Sequence, residues 1–345
     1  MQVKILNSEQ ANQIDRQQWD KLADQSAFTN PFYESWCLLP AFKFLTENLD
    51  IRIVCAYKDD ELIALFPIEL GKRKLGVQYI DIWKHHHCFL TDPLCSQPLE
   101  LSRIMNRVIR ALNMMAVRIR DHSLFSYGRY IDERSVVLKY TRGAILDTKN
   151  TQEYLLTLPR KMRLENKRIS KRFFNKTKAE YWTSDTHPEI DWLKAFCDLE
   201  HAGWKRTVEG SILSHQNTHH YYQAMHDNAK QMGKIKFQGF FNQQGSLAVA
   251  FRIISRNQAF DLKTCYNEDY RELYPGVNLE FANMHDLPQY GYDYVDSCTM
   301  SENYLINRIW PDQRSLYTSF YFHGGFVSKV LKIIYRFKNR RALKN

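Results

Sequence analysis

The sequence contains little glycine and proline, and it has no long apolar run. Its 345 residues include only 13 Gly and 10 Pro, which excludes collagen-like and low-complexity chains. No uncharged apolar segment approaches the roughly 18 residues that a membrane-spanning helix needs. The N-terminus also lacks the charged head and apolar stretch of a signal peptide. We therefore expect a globular, cytoplasmic protein of about two domains.

Cysteine is present, but its pattern matches neither a disulfide framework nor a structural metal site. The seven cysteines are an odd number, are scattered along the chain and include no CxxC pair. We expect reduced and mostly buried thiols. The run His85-His86-His87-Cys88 does not suit one ion either, because adjacent residues of a strand point to opposite faces. No metal site is predicted.

Acidic residues are nearly absent from two segments that carry most of the positive charge. The chain has 48 Lys and Arg against 38 Asp and Glu, yet residues 159–178 alone hold nine bases and one acid. Residues 324–345 hold seven bases and no acid, interleaved with apolar residues, which predicts a basic amphipathic C-terminal helix. The remainder of the chain is net negative, so a general nucleic-acid-binding protein is not expected.

The two halves of the sequence repeat one order of predicted elements. Helices precede a hairpin at Ile51–Tyr57 and Glu61–Leu70, and helices again precede a hairpin at Ile235–Asn242 and Ser246–Ser255. A strand, a helix and another strand follow each hairpin. This order predicts a mixed α/β (α+β) fold of two tandem domains, each a mostly antiparallel mixed sheet flanked by helices. The predicted boundaries are 1–145, 146–323 and, for the C-terminal helix, 324–345. The predicted helices are Asp15–Gln25, Phe32–Asn48, Leu99–Asn113, Gln152–Leu158, Arg160–Thr177, Ile190–His201, Thr218–Gln231 and Val277–Tyr290.

Several short motifs occur in a fixed order along residues 15–310. They are Trp19…Leu22, Thr29-Asn30-Pro31-Phe32…Trp36, Asp60-Glu61-Leu62-Ile63-Ala64-Leu65-Phe66-Pro67-Ile68, Leu158-Pro159-Arg160-Lys161-Met162-Arg163, Tyr274-Pro275-Gly276-Val277-Asn278 and Gly291-Tyr292-Asp293…Asp296. In this order the chain resembles the cellulose-biosynthesis-type acetyltransferases. These belong to the double GNAT (N-acetyltransferase-like) group and are similar to the Fem-type aminoacyltransferases.

The resemblance implies two tandem GNAT-like domains and an acyltransferase that uses acetyl-CoA or another acyl-CoA as co-substrate. In such a site the pyrophosphate lies on backbone amides at a helix N-terminus, where the helix dipole favours anions. Pro275-Gly276 marks the matching helix start, and Arg163 matches an arginine of the family. The donor-binding residues that we predict are Tyr274, Gly276, Val277, Asn278 and Arg163.

Acyl transfer needs one group that takes a proton from the acceptor and another that protonates the leaving thiolate. Asp261, Tyr266 and Asp296 lie near the C-terminal ends of predicted strands in the second half, and Asp296 matches a family position. These three are the predicted catalytic residues, with Tyr266 as the proton donor to sulfur. The resemblance implies an amine or hydroxyl acceptor on a small molecule, a glycan or a cell-envelope precursor.

One departure from the family keeps two alternatives open. Tyr304 is followed by Leu305, where the family tends to have a Tyr-Lys pair. The first alternative is a Fem-type aminoacyltransferase whose donor is aminoacyl-tRNA, the one nucleic acid that we keep as a partner. The second is a non-catalytic scaffold of the same fold on a membrane surface, contacted through the basic C-terminal helix.

Overall fold

The chain divides into two compact units. The computed structural model describes residues 1–74, 77–123, 135–299, 306, 309–323, 329–330 and 333–334. Unit 1 comprises Met1–Gly143 and the chain from Gln313 onward, and Ala144–Thr299 forms most of unit 2. The boundary between the two units lies between Gly143 and Ala144, inside the strand Ser135–Asp147. The domain boundaries drawn from the sequence stay predictions.

The strands are β1 (Gln2–Leu6), β2 (Ile51–Lys58), β3 (Glu61–Lys74), β4 (Val77–Ile82), β5 (Leu94–Cys95), β6 (Ala116–His122), β7 (Ser135–Asp147), β8 (Glu180–Thr183), β9 (Ile235–Asn242), β10 (Gly245–Ser255), β11 (Gln258–Tyr266), β12 (Tyr294–Asp296) and β13 (Asp312–Phe322). The α-helices are α1 (Ser8–Ala11), α2 (Arg16–Gln25), α3 (Ser35–Phe44), α4 (Leu101–Ala111), α5 (Thr151–Thr157), α6 (Arg160–Thr177), α7 (Trp192–Ala202), α8 (Gln216–Gln231) and α9 (Pro275–Asp286).

Unit 1 is a mixed sheet with helices packed against it. Its strand order is β1-β2-β3-β4-β6-β13-β7, and the short β5 pairs with β3. β4 and β6 are parallel and are connected through α4. The apolar residues of α4 recur at the helical period and are buried, which is why this segment forms a helix on the sheet. They are Leu101, Ile104, Met105, Val108 and Ile109.

Unit 2 has its own mixed sheet. Its strand order is β7-β12-β11-β10-β9-β8, to which β7 contributes its last residues. β11 and β12 are parallel and are connected through α9. On one side, Phe173 of α6 and Leu279 of α9 pack with Phe240 and Ala248 of the sheet. Phe196 of α7 packs edge-to-face on Phe251 of β10, with ring centroids 4.9 Å apart.

The two units share one order of connected strands, as the sequence predicts. In unit 1, the hairpin β2-β3 leads to β4, then to α4 and the parallel strand β6. In unit 2, the hairpin β9-β10 leads to β11, then to α9 and the parallel strand β12. The predicted mixed α/β fold is confirmed.

The predicted helix Phe32–Asn48 is wrong at both ends. Pro31–Tyr33 forms a turn of 3-10 helix, Glu34 is extended, and α3 runs only from Ser35 to Phe44. The Asn30 side chain accepts a hydrogen bond from the Phe32 amide and so caps the short turn separately. Four strands were also missed, namely β1, β5, β8 and β13. Each is defined by its pairing with a distant strand, which hydropathy along the chain does not reveal.

The cysteines are all buried free thiols. Within the part of the chain that the structure describes, no three His, Cys, Asp or Glu side chains converge as a metal site would require. No helix among those residues is long and apolar enough to cross a bilayer. Most of the predicted C-terminal helix and the Tyr304-Leu305 motif lie outside the described residues.

Gly239 of β9 allows the sheet backbones of unit 2 to approach closely. A Cβ at this position would lie 2.6 Å from the Ala248 carbonyl oxygen and 3.0 Å from the Phe241 ring. Because that contact is with backbone, Gly239→Ala should force the β9–β10 pair apart. We expect it to lower the free energy of unfolding by about 1–3 kcal/mol, measured by urea denaturation.

Gly203→Ala is the matched control, since the nearest atom to a Cβ there is 3.6 Å away. Its effect should stay within about 0.5 kcal/mol. Equal stability of the two variants would contradict the close approach at Gly239.

Candidate active site

β11 and β12 lie side by side over a short distance only. The parallel pairing joins residues 258–260 of β11 to residues 294–296 of β12. β11 then continues to Tyr266, and over residues 261–266 its one strand partner among the described residues is β10. Backbone groups on the other edge of this segment therefore face no strand formed by the described residues. An edge of this kind can pair with an extended ligand.

Asp296 explains why β12 ends where it does. Its carboxylate accepts a hydrogen bond of 2.7 Å from the Cys298 amide, and Cys298 has a φ of 52° in the left-handed region. Together these features turn the chain out of the extended conformation. The predicted catalytic residue Asp296 is thus buried and ends the strand. Its catalytic role stays a prediction.

α9 begins beside the end of β11 with two backbone amides that the helix does not use. Tyr274 precedes the helix in the left-handed conformation, Pro275 has no N–H, and no side chain caps this end. The Asn278 amide closes the first turn on the Tyr274 carbonyl at 3.0 Å. The amides of Gly276 and Val277 therefore lack an acceptor among the described residues. With the helix dipole, they favour an anion.

The structure brings Gly276 and Tyr266 together. A Cβ at position 276 would lie 3.4 Å from Cδ1 of the Tyr266 ring, so the start of α9 packs directly on the last residue of β11. Tyr274 is close by because it is the residue before the helix, and it is about half exposed. Four predicted residues, Tyr266, Tyr274, Gly276 and Val277, thus share one place in unit 2.

Asn278 and Arg163 have other contacts. The Asn278 side chain donates to the carbonyls of Leu273 and Tyr274 at 3.0 and 2.9 Å and accepts from the Ser170 hydroxyl at 2.7 Å. It therefore fastens α9 to the preceding turn and to α6. Arg163 is exposed, and its Nε donates to the Leu158 carbonyl at 3.1 Å. It lies roughly 10 Å along α6 from Ser170, as the helical rise requires. The donor-binding roles of both residues stay predictions.

Asp261 forms an ion pair that the sequence did not predict. Its Oδ1 lies 2.9 Å from Nε of Arg252, a buried residue of β10. Burial raises the pKa of Asp261, and the charge of the neighbouring Asp296 raises it further. The positive charge of Arg252 acts in the opposite direction and lowers the pKa. The two predicted carboxylates, Asp261 and Asp296, are therefore electrostatic neighbours.

Glu280 of α9 is a buried acid near this ion pair. It accepts a hydrogen bond of 2.6 Å from Nε1 of Trp310. Burial raises the pKa of Glu280 to about 7, with a further contribution from Asp261. A side chain of this kind exchanges protons near neutral pH, as an acid or base in catalysis must.

A second charged group lies towards α7. Glu200 is buried, and its Oε1 accepts from Lys205 at 2.9 Å and from Lys263 at 2.8 Å. Burial alone would raise the pKa of Glu200, but the two ammonium groups outweigh it and the pKa lies below its ordinary value. Lys205 also donates to the Thr264 carbonyl at 3.2 Å. Glu200 and its two lysines therefore contact the part of β11 that extends past the end of β12.

Sequence reasoning missed Arg252, Glu280, Glu200 and Lys263, although a signal was present. Arg252 follows an apolar run in β10, and Glu200 continues the buried face of α7 formed by Trp192, Leu193, Phe196 and Cys197. A charged side chain in an apolar run or on a buried face must be paired or shift its pKa. That rule would have singled out these residues.

Comparison with known families bears on this unit. Residues 160–304 match the model of the acetyltransferase (GNAT) domain. The match contains β11, α9 and β12, and it confirms that the chain is an acyltransferase with a GNAT-type domain in its second half. No curated protein sequence matches the chain.

Solved structures are similar in fold over nearly the whole chain. A crystal structure of FemX has a TM-score of 0.59 and 11% identity, covering 96% of this chain and 100% of that one. The C-terminal domain of a putative lysylphosphatidylglycerol synthetase from Agrobacterium fabrum has a TM-score of 0.54 at 11% identity, covering 94% and 96%. The structure of L-PGS from Bacillus licheniformis has a TM-score of 0.54 at 12% identity, covering 96% of this chain and 97% of that one. Identities this low show the fold alone.

Glu280 should make stability depend on pH. Its pKa is about 7 in the folded protein against an ordinary value of 4.5, so between these pH values the folded state keeps a proton that the unfolded chain has released. The free energy of unfolding therefore falls as the pH rises through this range. Glu280→Gln removes the titration and keeps an acceptor for Trp310. Relative to the variant, the native protein should lose roughly 3 kcal/mol between pH 4.5 and 7.

Urea denaturation at a series of pH values measures this difference. All other groups titrate in both proteins and cancel in the comparison. Parallel stability profiles for the two proteins would show that Glu280 is ionised at neutral pH in the folded state.

Proposed function

We propose that the protein transfers an acyl group, with acetyl as the first candidate, from acyl-CoA to an amine or hydroxyl of a sugar-containing or cell-envelope acceptor. One observation carries this proposal. Along residues 261–266, the edge of β11 away from β10 has no strand partner among the described residues, and it ends beside the two unused amides at the start of α9. Such an arrangement suits a ligand that has amide groups along a flexible arm and a phosphate at its end.

Acyl-CoA fits this arrangement chemically. Its thioester supplies the activated acyl group when it is bound. The edge of β11 along residues 261–266 offers backbone donors and acceptors to the arm, and the amides of Gly276 and Val277 offer donors to a phosphate. Gly276 suits this role because it has no side chain that could cover its own amide.

The predicted proton donor Tyr266 has its ring beside Gly276 at the junction of β11 and α9, which is where the arm and the phosphate binding site meet. In this orientation of the donor, the length of the arm separates Tyr266 from the leaving sulfur, so we assign Tyr266 to the phosphate end of the site. For the proton from the acceptor we propose Asp296, with Asp261 as its electrostatic neighbour. The Arg252–Asp261 pair limits the charge that this neighbour places on Asp296.

The acceptor class rests on the resemblance to the cellulose-biosynthesis-type acetyltransferases, which implies a sugar-containing substrate. A second candidate function is favoured by the fold similarity to FemX and to two lysylphosphatidylglycerol synthetase structures. It is aminoacyl transfer from aminoacyl-tRNA. The non-catalytic scaffold remains the third candidate, and it predicts binding to anionic vesicles without binding to either donor.

Titration calorimetry with acetyl-CoA tests the donor site. We expect micromolar binding to the purified protein and at least a hundredfold loss in Gly276→Trp, because the indole would cover the unused amides. Binding that survives this variant would place the donor elsewhere. A folded native protein that binds no acyl-CoA would overturn the proposal and favour aminoacyl-tRNA.

A shape-matched pair of variants at Tyr274 separates the effect of charge on phosphate binding from the effect of a changed side-chain shape. Asn and Asp both tolerate the left-handed conformation of this residue and differ only in charge. Asp also suits the N-terminus of a helix, so stability should be kept. Tyr274→Asp should bind acetyl-CoA about tenfold more weakly than Tyr274→Asn, and added salt should reduce the difference.

Tyr266→Phe tests the orientation of the donor. The variant keeps the ring beside Gly276 and removes only the hydroxyl. Because Tyr266 lies at the phosphate end of the arm, turnover should be nearly unchanged. Free CoA thiol released with glucosamine or another acceptor found by screening gives the rate. A loss of about a hundredfold, the usual effect of removing a general acid, would place the sulfur at Tyr266 and overturn this orientation.

A further inference from the structure

The hydrogen bonds of β11 show which of its backbone groups face away from β10. The Asn267 amide donates to the Leu247 carbonyl at 2.8 Å, one position beyond the opposed pair Ala248 and Tyr266. In an antiparallel ladder, residues that bond across the pair alternate with residues whose amide and carbonyl point away. Counting back from Asn267, the backbone groups of Tyr266 and Thr264 therefore point away from β10, towards the edge that has no strand partner among the described residues.

One of these backbone groups is bonded to a side chain from outside the sheet. The Thr264 carbonyl accepts a hydrogen bond of 3.2 Å from Nζ of Lys205. Lys205 lies in the short 3-10 helix Trp204–Arg206, which follows α7. Its ammonium therefore occupies the position at which an extended ligand on this edge would place an N–H donor.

The segment that carries Lys205 is held at both ends by one buried carboxylate. Oε1 of Glu200 accepts from Lys205 at 2.9 Å, and Oε2 accepts from the Ile212 amide at 2.8 Å. Between these points, the Gly210 amide donates to the Lys205 carbonyl at 2.8 Å. Residues 203–210 are all described by the structure, and none of them is buried. A segment with so few buried contacts can move at a small cost in free energy.

We propose that Lys205 blocks the open edge of β11 in the free protein, an inference that rests on the proposed function. A ligand that pairs with this edge must displace the Lys205 ammonium from the Thr264 carbonyl. Because Glu200 holds the same ammonium close to the edge, residues 203–210 shift when Lys205 leaves. The affinity for the ligand is then lowered by the free energy of the contact that has to be broken.

The charges around Glu200 allow Lys205 to leave. Lys263 also donates to Oε1 of Glu200, at 2.8 Å, so the buried carboxylate keeps a cation and the Ile212 amide when Lys205 departs. The Lys205 side chain is 23% exposed, and water can therefore solvate its ammonium after release. The contact with Thr264 is thus the one that binding of a ligand to the edge would break.

Titration calorimetry of the full chain with acetyl-CoA compares the native protein with Lys205→Met. Met keeps much of the length of the side chain and removes the ammonium. The variant should bind acetyl-CoA about tenfold more tightly, the effect expected of losing a competing hydrogen bond from a charged group. Lys205→Arg keeps a charged donor and should bind with nearly the native affinity.

Lys194→Met is the control for the loss of one positive charge. Lys194 lies on α7, is exposed and pairs with Asp198 at 2.5 Å, so this variant should bind acetyl-CoA with the native affinity. Urea denaturation establishes that each variant is folded under the conditions of the titration.

Hydrogen exchange on the native protein gives a readout that needs no variant. Binding of acetyl-CoA should speed exchange of the Gly210 and Ile212 amides, because their acceptors are the Lys205 carbonyl and the Glu200 carboxylate. Slower exchange of these amides on binding would show that the segment closes on the ligand, and would overturn the inference.

The titrations separate this inference from the proposed function. Equal or weaker acetyl-CoA binding by folded Lys205→Met would overturn the blocking role of Lys205 and leave the proposed donor site intact. If neither the native protein nor folded Lys205→Met bound acetyl-CoA, the proposed donor would be overturned together with the inference.

Discussion

Backbone amides and carbonyls inside a sheet need partners, and β12 gives partners to β11 over three residues only. The chain itself imposes this limit, because the Asp296 carboxylate binds the Cys298 amide and turns the chain away. Within the part of the chain that the structure describes, no strand satisfies the remaining edge of β11. The start of α9 lies at the end of the same edge, since the connection from Tyr266 to Pro275 is short. The placement of the proposed donor follows from this one constraint.

Buried charges hold the strands and helices around that edge in place. Arg252 and Asp261 join β10 to β11, and Glu200 joins α7 to β11 through Lys263. Each charge is compensated by a partner, and removing one partner would leave an uncompensated charge in a poorly solvated position. Such pairs add little net stability but fix geometry, which a site for acyl transfer requires. Glu280 is different, because its proton is held near neutral pH by burial.

Much of the fold could be predicted from the sequence, and part of the candidate site could be as well. In hairpins such as β9-β10 and in helices such as α6, the hydrophobic residues recur at the period of a strand or of a helix. The bounds of these elements were therefore predicted closely. Tyr266 and Gly276 were predicted together because they flank one short connection. Arg163 was placed in the donor site by its match to a family motif and by its position on the basic face of α6. The structure adds a hydrogen bond from its Nε to the Leu158 carbonyl, and its role stays a prediction. Strands β1, β5, β8 and β13 were missed because their pairing partners are distant in the chain.

The sequence by itself determined the order of the elements, the repeat of that order and the Pro-Gly start of α9. These are local properties, set by hydrophobic period and by the conformations that proline and glycine allow. Only the tertiary structure decided which charges meet, as Arg252 and Asp261 do, and that Asn278 binds Ser170 rather than remaining available. Contacts between residues far apart in the chain depend on how helices pack on a sheet, and no local pattern encodes that packing.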